Sequence, residues 1–295
     1  MARNPGTSTG HRIGGIARWN FMLAACCGVV ALVLALGNPT RAADQQESIL
    51  QKVQRTKVIH AAYIPYPPFV IADPLKKSVS GYFIELMNEI VSRMGQDIKV
   101  EYEETTWGTM VVGVQSGKFD VVVSGIFSTI PRAMQVTFSR PVMLVGLSAV
   151  ARIDDNRFKT ADDLQADGLI VAATAGEVGH SYAQQYLPKA KLIVMDTPDI
   201  TRPMLEVISK RADIGIADSL SVYNFVAAHK DQVKNVFADR PLNLYGTGLM
   251  LPRDLQWKDF IDESIAFLDY SGVLDRLEQK YKHGVSEWVS LKKQW

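Results

Sequence analysis

The chain predicts an α/β fold built as two similar units, and three observations carry that prediction. Short apolar segments of strand length alternate with segments whose apolar residues recur at helical spacing. The 295 residues are more than a single core of ordinary size holds. One stretch also echoes another without gaps, Val114-Gln-Ser-Gly-Lys-Phe-Asp-Val-Val-Val-Ser-Gly125 against Val207-Ile-Ser-Lys-Arg-Ala-Asp-Ile-Gly-Ile-Ala-Asp218. Each is a helix end, a basic turn, an Asp and a short apolar strand. Chance is the alternative, because that order is common α/β grammar. A true repeat would put Gly125 and Asp218 at the carboxyl ends of corresponding strands, where open α/β sheets bind ligands.

The elements follow in order. Val58–Ala62 reads as a strand. Gly81–Met94 reads as a helix, because Phe83, Leu86, Ile90 and Met94 fall on one face. Ile98–Tyr102 is a strand, Thr109–Gln115 a helix and Asp120–Val123 a buried strand. Leu169–Ala173 and Leu192–Met195 are further strands. Met204–Ser209 is helical, Ile214–Ala217 a strand and Leu220–Ala228 a helix. Gly248–Leu251 is a late strand, and Asp259–Leu268 and Leu274–Tyr281 are closing helices.

An apolar share of 47% and a charged share of 21% exclude disordered, collagenous and coiled-coil classes. Five His and two Cys show no zinc-finger spacing, and a net charge of +1 gives no bulk electrostatic case for nucleic acid. The first 20 residues carry Arg3, Arg12 and Arg18 and no acid. Phe21–Gly37 is then an uncharged apolar run of 17 residues, followed by Thr40-Arg-Ala-Ala43 and an acidic stretch. This pattern reads as a signal peptide over residues 1–43, cleaved near residue 42 or 43. An uncleaved anchor is the alternative, and the run is slightly short for one. Leu23–Cys26 is similar to a lipoprotein cleavage box, but the apolar run continues for ten residues beyond Cys27. Cys26 and Cys27 both lie inside the leader, so the mature chain is expected to carry no cysteine. Removing the four arginines of residues 1–43 takes the net charge from +1 to −3. No later segment has the length and apolarity of a span, and an exported, soluble product is expected.

Ordered blocks of the mature chain resemble the periplasmic solute-binding proteins of amino-acid-type ABC importers. The first is Ala62-Tyr-Ile-Pro-Tyr-Pro-Pro-Phe69, similar to the family's opening strand and aromatic-Pro-Pro-Phe turn. Gly81-Tyr-Phe-Ile-Glu-Leu86 is similar to its helix start. Trp107 with Gly117-Lys-Phe-Asp120, and Thr129-Ile-Pro-Arg-Ala-Met-Gln-Val-Thr-Phe-Ser-Arg-Pro141, match its central segments. Ile216-Ala-Asp-Ser219 and Tyr245-Gly-Thr-Gly-Leu-Met-Leu251 match its second-lobe and returning strands. The resemblance spans about Lys57 to Tyr281. It implies a type II periplasmic-binding-protein fold, two α/β lobes joined by two crossover strands. Lobe 1 would be residues 50–146 plus 244–295 and lobe 2 residues 147–243. It further implies a periplasmic, monomeric protein that closes its cleft on a small ligand by a hinge motion and delivers it to a membrane permease, with no cofactor and no metal.

By the same resemblance, Arg132 would grip a ligand carboxylate, for which a permanently charged guanidinium is suited. A salt bridge, for example with Asp120, is the other reading of Arg132. Asp218 would receive an ammonium, or cap the helix that follows it. Tyr66, in its Pro-rich turn, Trp107 and Phe127 are candidates for the cleft walls, with core packing as the other reading, above all for Trp107. Gly125 and Thr129 would add backbone or hydroxyl contacts. Gly176-Glu-Val-Gly179 departs from the family's Gly-Thr-x-Gly, and Phe127 stands where a Thr or Ser is common. Tyr63 stands where several members have Asp. Glu177 therefore has two readings, an outward first-turn acid or a cleft anion that selects a cationic ligand. An exported cyclohexadienyl-type dehydratase on the same fold is one alternative function, with Glu177 and His180 as its only evident acid–base groups. A ligand-sensing partner of a separate membrane protein is another.

Overall fold

The structure, a computed structural model, describes residues 47–95, 97–282 and 288–291. The expected signal peptide and its cleavage point lie outside the described residues. A capping box starts α1 (Ile49–Thr56): Ser48 Oγ accepts from Gln51 N at 3.2 Å, and Gln51 Oε1 accepts from Ser48 N at 3.0 Å. Then come β1 (Val58–Tyr63), the hairpin β2 (Ile71–Asp73) and β3 (Ser78–Ser80), α2 (Tyr82–Ser92), β4 (Lys99–Glu104), α3 (Met110–Gln115) and β5 (Val121–Phe127). The single turn α4 (Ile130–Ala133) and β6 (Thr137–Phe138) lead into the long β7 (Met143–Arg152). The middle of the chain holds β8 (Ile170–Thr174), α5 (Val178–Tyr186), β9 (Lys191–Met195), α6 (Leu205–Ile208), β10 (Ile214–Asp218), α7 (Ser219–Ala228) and β11 (Val233–Asn235). The chain returns through β12 (Asn243–Leu251) to α8 (Leu255–Tyr270), α9 (Val273–Tyr281) and β13 (Trp288–Ser290).

The main sheet runs β4-β1-β5-β12-β7-β10-β8-β9. In the first half, β1 lies parallel to β4 and β5, and β12 returns antiparallel to β5. In the second half, β8 lies parallel to β9 and β10, and β7 runs antiparallel to β10. The two halves are two lobes with the same strand order, each closed by a strand that also belongs to the other. The link between them is the antiparallel pairing of β7 and β12, from Met143↔Thr247 to Leu147↔Asn243. Each of these two crossing strands carries a glycine in the paired stretch, Gly146 and Gly246.

The internal echo is a structural repeat. Residues Val121 and Val122 pair with Ala61 and Ala62, and their counterparts Ile214 and Gly215 pair with Val171 and Ala172. The Asp before each strand does the same work. Asp120 accepts from His60 N at 3.0 Å, and Asp213 accepts from Ile170 N at 2.9 Å. Each carboxylate thereby anchors the neighbouring strand, and each has a cation partner, Lys52 at 2.8 Å and Arg157 at 2.6 Å. Apolar burial on both sheet faces holds the frame: Val121, Val122 and Val123 in β5, and Ile214 and Ile216 in β10, are buried.

Candidate ligand-binding site

The lobes meet at a cavity of about 10 Å³ lined by Tyr66, Trp107, Phe127 and Arg132 from the first lobe and by Glu177, Val178, Ile200 and Asp218 from the second. That is room for about one water molecule, so the cleft is closed. A larger groove of about 760 Å³, walled by residues such as Arg140, Asp262, Asp269 and Glu278, belongs to the first lobe alone. The convergent buried polar groups are in the small cavity, and these mark the site.

Local sequence places each of them. Thr129 caps α4 by accepting from Arg132 N at 3.4 Å, and Pro131 suits its first turn. The Arg132 side chain then runs inward, 8% exposed. Its Nη1 donates to Phe127 O at 3.0 Å and its Nη2 donates across the cleft to Gly176 O at 2.7 Å. Arg132 thus makes no salt bridge with Asp120, which is held by Lys52. Gly176 has φ +74°, and a Cβ on it would lie 2.4 Å from Trp107 O. The two lobes touch there backbone to backbone, which only glycine permits.

Glu177 is the N-cap of α5, accepting from Gly179 N at 2.5 Å, and Asp218 is the N-cap of α7, accepting from Ser221 N at 2.8 Å. Both are buried and both face the cavity. The outward reading of Glu177 is thereby corrected: the residue is a cap, one position before the first turn, and its chain turns inward. Burial, with Asp218 opposite, pushes the Glu177 carboxyl up to about 8, while the Gly179 amide and Arg132 pull the other way. Burial likewise raises Asp218, against the pull of Ser221 and Tyr66. Burial draws the Arg132 guanidinium down, and Glu177 opposes this; Arg starts high enough to stay charged. The Tyr66 hydroxyl is raised by burial and then by Asp218, which it faces outside hydrogen-bonding geometry. Tyr66 Oη, Trp107 Nε1 and Asp218 Oδ2 are buried with no hydrogen-bond partner among the described residues.

Seven of the nine residues expected from sequence meet here: six line the cavity, and Gly176 contributes its carbonyl. The other two do not line the cavity. Gly125, expected to contact ligand, sits at φ +66° beneath Phe83, whose ring would lie 2.4 Å from an added Cβ; its smallness admits that ring. Thr129 spends its hydroxyl on the α4 cap instead of the cavity wall. The sequence reading missed Val178, Ile200 and Tyr245. The Tyr245 ring stacks on Phe127 at 5.5 Å, and its hydroxyl is raised by burial and, less strongly, by Glu177. Tyr245 opens the returning block of the sequence, which was its available signal; Ile200 had none. The His180 Nδ1 accepts from Gly176 N at 3.4 Å, and burial lowers its pKa, so its imidazole is a neutral acceptor. Among the described residues no group of three or more His, Cys, Asp or Glu is placed to hold a metal.

The family model of the bacterial extracellular solute-binding proteins, family 3, matches residues 58–284. The chain belongs to that family. It is 22% identical over 240 residues to a cyclohexadienyl dehydratase of Pseudomonas aeruginosa, covering 81% of this chain and 86% of that one. It is 21% identical over 267 residues to the arginine-binding extracellular protein ArtP of Bacillus subtilis, covering 90% and 98%. Among solved structures, the ancestral amino acid-binding protein AncCDT-1, a precursor of cyclohexadienyl dehydratase, is 26% identical with a TM-score of 0.68, covering 79% of this chain and 99% of that one. A mutant of ArgBP from T. maritima is also 26% identical, with a TM-score of 0.69 and the same coverage. These neighbours share the two-lobed fold with crossover strands. Most of the relatives are solute-binding proteins by name, which agrees with the expectation of a binding protein rather than an enzyme.

Proposed function

We propose that the protein is the periplasmic solute-binding component of an ABC importer and that its ligand is an amino acid with a cationic side chain. The observation that carries the ligand class is the charge inventory of the cleft: two buried carboxylates, Glu177 and Asp218, face one guanidinium, Arg132. An amino acid with a basic side chain brings two positive groups and one negative, which reverses that inventory group for group. Arg132 takes the carboxylate, using N–H groups beyond the two already engaged. Asp218, with its free Oδ2, takes the α-ammonium. Glu177 takes the side-chain cation, and Tyr66, Trp107 and Phe127 enclose the aliphatic part. The arginine-binding protein ArtP and the arginine-bound ArgBP support the same class. We assign the lobe boundary to the crossing strands, near residues 146 and 244, and the protein acts as a monomer that presents its closed form to a permease after removal of residues 1–43.

A thermal-shift screen of the mature chain against L-arginine, L-lysine, L-glutamine, L-glutamate and simple diamines tests this, because a ligand that binds only the native state raises the melting temperature. A shift with the basic amino acids that disappears in Arg132→Ala is the expected result. A shift with L-glutamate alone would refute the ligand class. A dehydratase reading has one observation in its favour, a buried acid at Glu177 that keeps its proton near neutral pH. Turnover of a cyclohexadienyl acid by the purified protein would establish it, and binding without turnover would end it.

A further inference from the structure

Glu177 and Asp218 each do two jobs. Each caps a helix of the second lobe with one oxygen, α5 of nine residues and α7 of ten. The second oxygen of Asp218, Oδ2, is buried at the cleft without a partner among the described residues. Both side chains line the same cavity of about 10 Å³, which has room for about one water molecule and so offers little solvent to screen them from each other. The groups facing Glu177 come from each element packed against it: Arg132 from α4, Asp218 from the β10–α7 junction, Tyr66 from the segment after β1 and Tyr245 from β12. On α5 itself, His180 is a neutral acceptor to Gly176 N. Among the described residues that line the cavity the one cation is Arg132, and it already donates to the carbonyls of Phe127 and Gly176. Two ionised carboxylates in such a space call for a second positive charge, and either a proton or a ligand cation supplies it.

We propose that Glu177 and Asp218 form a carboxylate pair that keeps one proton until a ligand binds and exchanges it for a cationic group of the ligand, so that selection for cations and dependence on pH are one device. The inference rests on the binding-protein reading above. The exchange balances: the O–H bond of the pair breaks, the proton leaves to solvent, and a ligand of net charge +1 takes its place, so the charge of the cleft is unchanged. The pair titrates as a unit, so the proton belongs to neither carboxyl alone. A ligand with a neutral side chain brings nothing to exchange and leaves the proton where it is.

The test is isothermal titration calorimetry of the mature chain with L-arginine, L-lysine and L-glutamine from pH 6 to 8.5, in two buffers of different ionisation enthalpy. L-arginine or L-lysine binding with about one proton released at pH 6.5, and with affinity rising about tenfold per pH unit on the acid side before levelling, is expected. Glu177→Gln keeps a cap oxygen for the Gly179 amide. It should retain its fold by circular dichroism, lose the proton release and the pH slope, and bind the basic amino acids at least tenfold more weakly. Cation binding without proton release, an unchanged proton count in Glu177→Gln, or preference for L-glutamine would each overturn the exchange while leaving the binding-protein reading in place. Should Glu177→Gln not fold, Asp218→Asn and the wild-type proton count decide the matter. If none of the three amino acids binds at any pH, the proposed ligand class fails and the exchange fails with it.

Discussion

Gly176→Ala separates closure of the cleft from stability of the fold. An added Cβ would lie 2.4 Å from Trp107 O, 2.7 Å from the carbonyl carbon of Trp107 and 2.8 Å from Gly108 Cα. All three are backbone atoms of the opposite lobe, so no side chain can swing aside. Regaining ordinary contact at roughly 3.4 Å requires the lobes to separate by about 1 Å at that point. The 2.7 Å bond from Arg132 Nη2 to Gly176 O then stretches out of range. A hydrogen bond from a charged donor contributes about 1.5–3 kcal/mol, which is about 10- to 150-fold in affinity for any ligand held by the closed form. The left-handed backbone of Gly176 adds about 1 kcal/mol of strain to the alanine variant, and this acts on folding in both the open and closed forms. Gly117→Ala is the matched control, since Gly117 has the same φ of +74° with nothing within 4 Å of the added Cβ. Melting temperatures should fall equally in the two variants. Calorimetric affinity for L-arginine should fall only in Gly176→Ala, and small-angle scattering with L-arginine present should show that variant more open. Closure and affinity in Gly176→Ala within threefold of Gly117→Ala would refute the reasoning.

Three further outcomes follow from the same geometry. Asp120→Ala leaves His60 N without its acceptor beside Lys52 in a buried setting and should cost about 2–4 kcal/mol in urea unfolding, whereas Asp213→Ala, at a more exposed copy of the same anchor, should cost about 1–2 kcal/mol. Gly125→Ala drives a Cβ into the Phe83 ring at positive φ and should destabilise by at least about 2 kcal/mol, while retaining ligand affinity in whatever fraction folds. Because burial raises Glu177, the closed protein holds a proton that the unfolded chain has released between the ordinary glutamate range and about pH 8, so stability from this group falls as pH rises through that window. The drop over that whole window is at most about 5 kcal/mol, less whatever opening of the cleft relieves; scanning calorimetry should show a melting temperature that declines from pH 5.5 to 8.5 in wild type and stays flatter in Glu177→Gln.

What could be read in advance followed the strength of the local signal. The parallel strands β1, β5, β8 and β10 are short apolar runs next to turn residues, and each was found within a few residues of its observed bounds. The crossing strand β7 was not found by pattern. It is buried on both faces over most of its length, so it lacks alternation, and Gly146 and Ser148 interrupt its run of branched residues. Gly146 is required there because Pro241 and the Ser219 hydroxyl lie about 3 Å from where its Cβ would be. The hairpin β2–β3 and the short β11 have only three residues per strand, too few to show a period. In the site, charged residues stood out because a buried charge needs a reason, whereas Val178 and Ile200 resemble any other wall of a core. Gly125 was ambiguous because a small residue in a strand near the cleft has two uses, approach to a ligand and room for a neighbouring ring, and sequence does not distinguish them.

The repeat explains how a symmetric frame yields an asymmetric site. Both lobes keep the Asp that ties β5 to β1 and β10 to β8, and both bring the following strand to the cleft at the equivalent position. In the first lobe that position is Gly125, two residues before the end of β5, and the space it leaves admits Phe83, so the position is apolar and packed. In the second lobe it is Asp218, and the strand runs straight into α7 with the carboxylate as its cap. The second lobe repeats the device at β8, where Glu177 caps α5. The positive ends of two helices hold the two acids in place and fix their orientation, and Asp218 keeps Oδ2 unpartnered among the described residues. Arg132 comes from the opposite lobe and reaches a carbonyl, not a carboxylate, when the lobes meet. Opposite charges thus sit on separate bodies, and a ligand that carries both signs is the species that joins them.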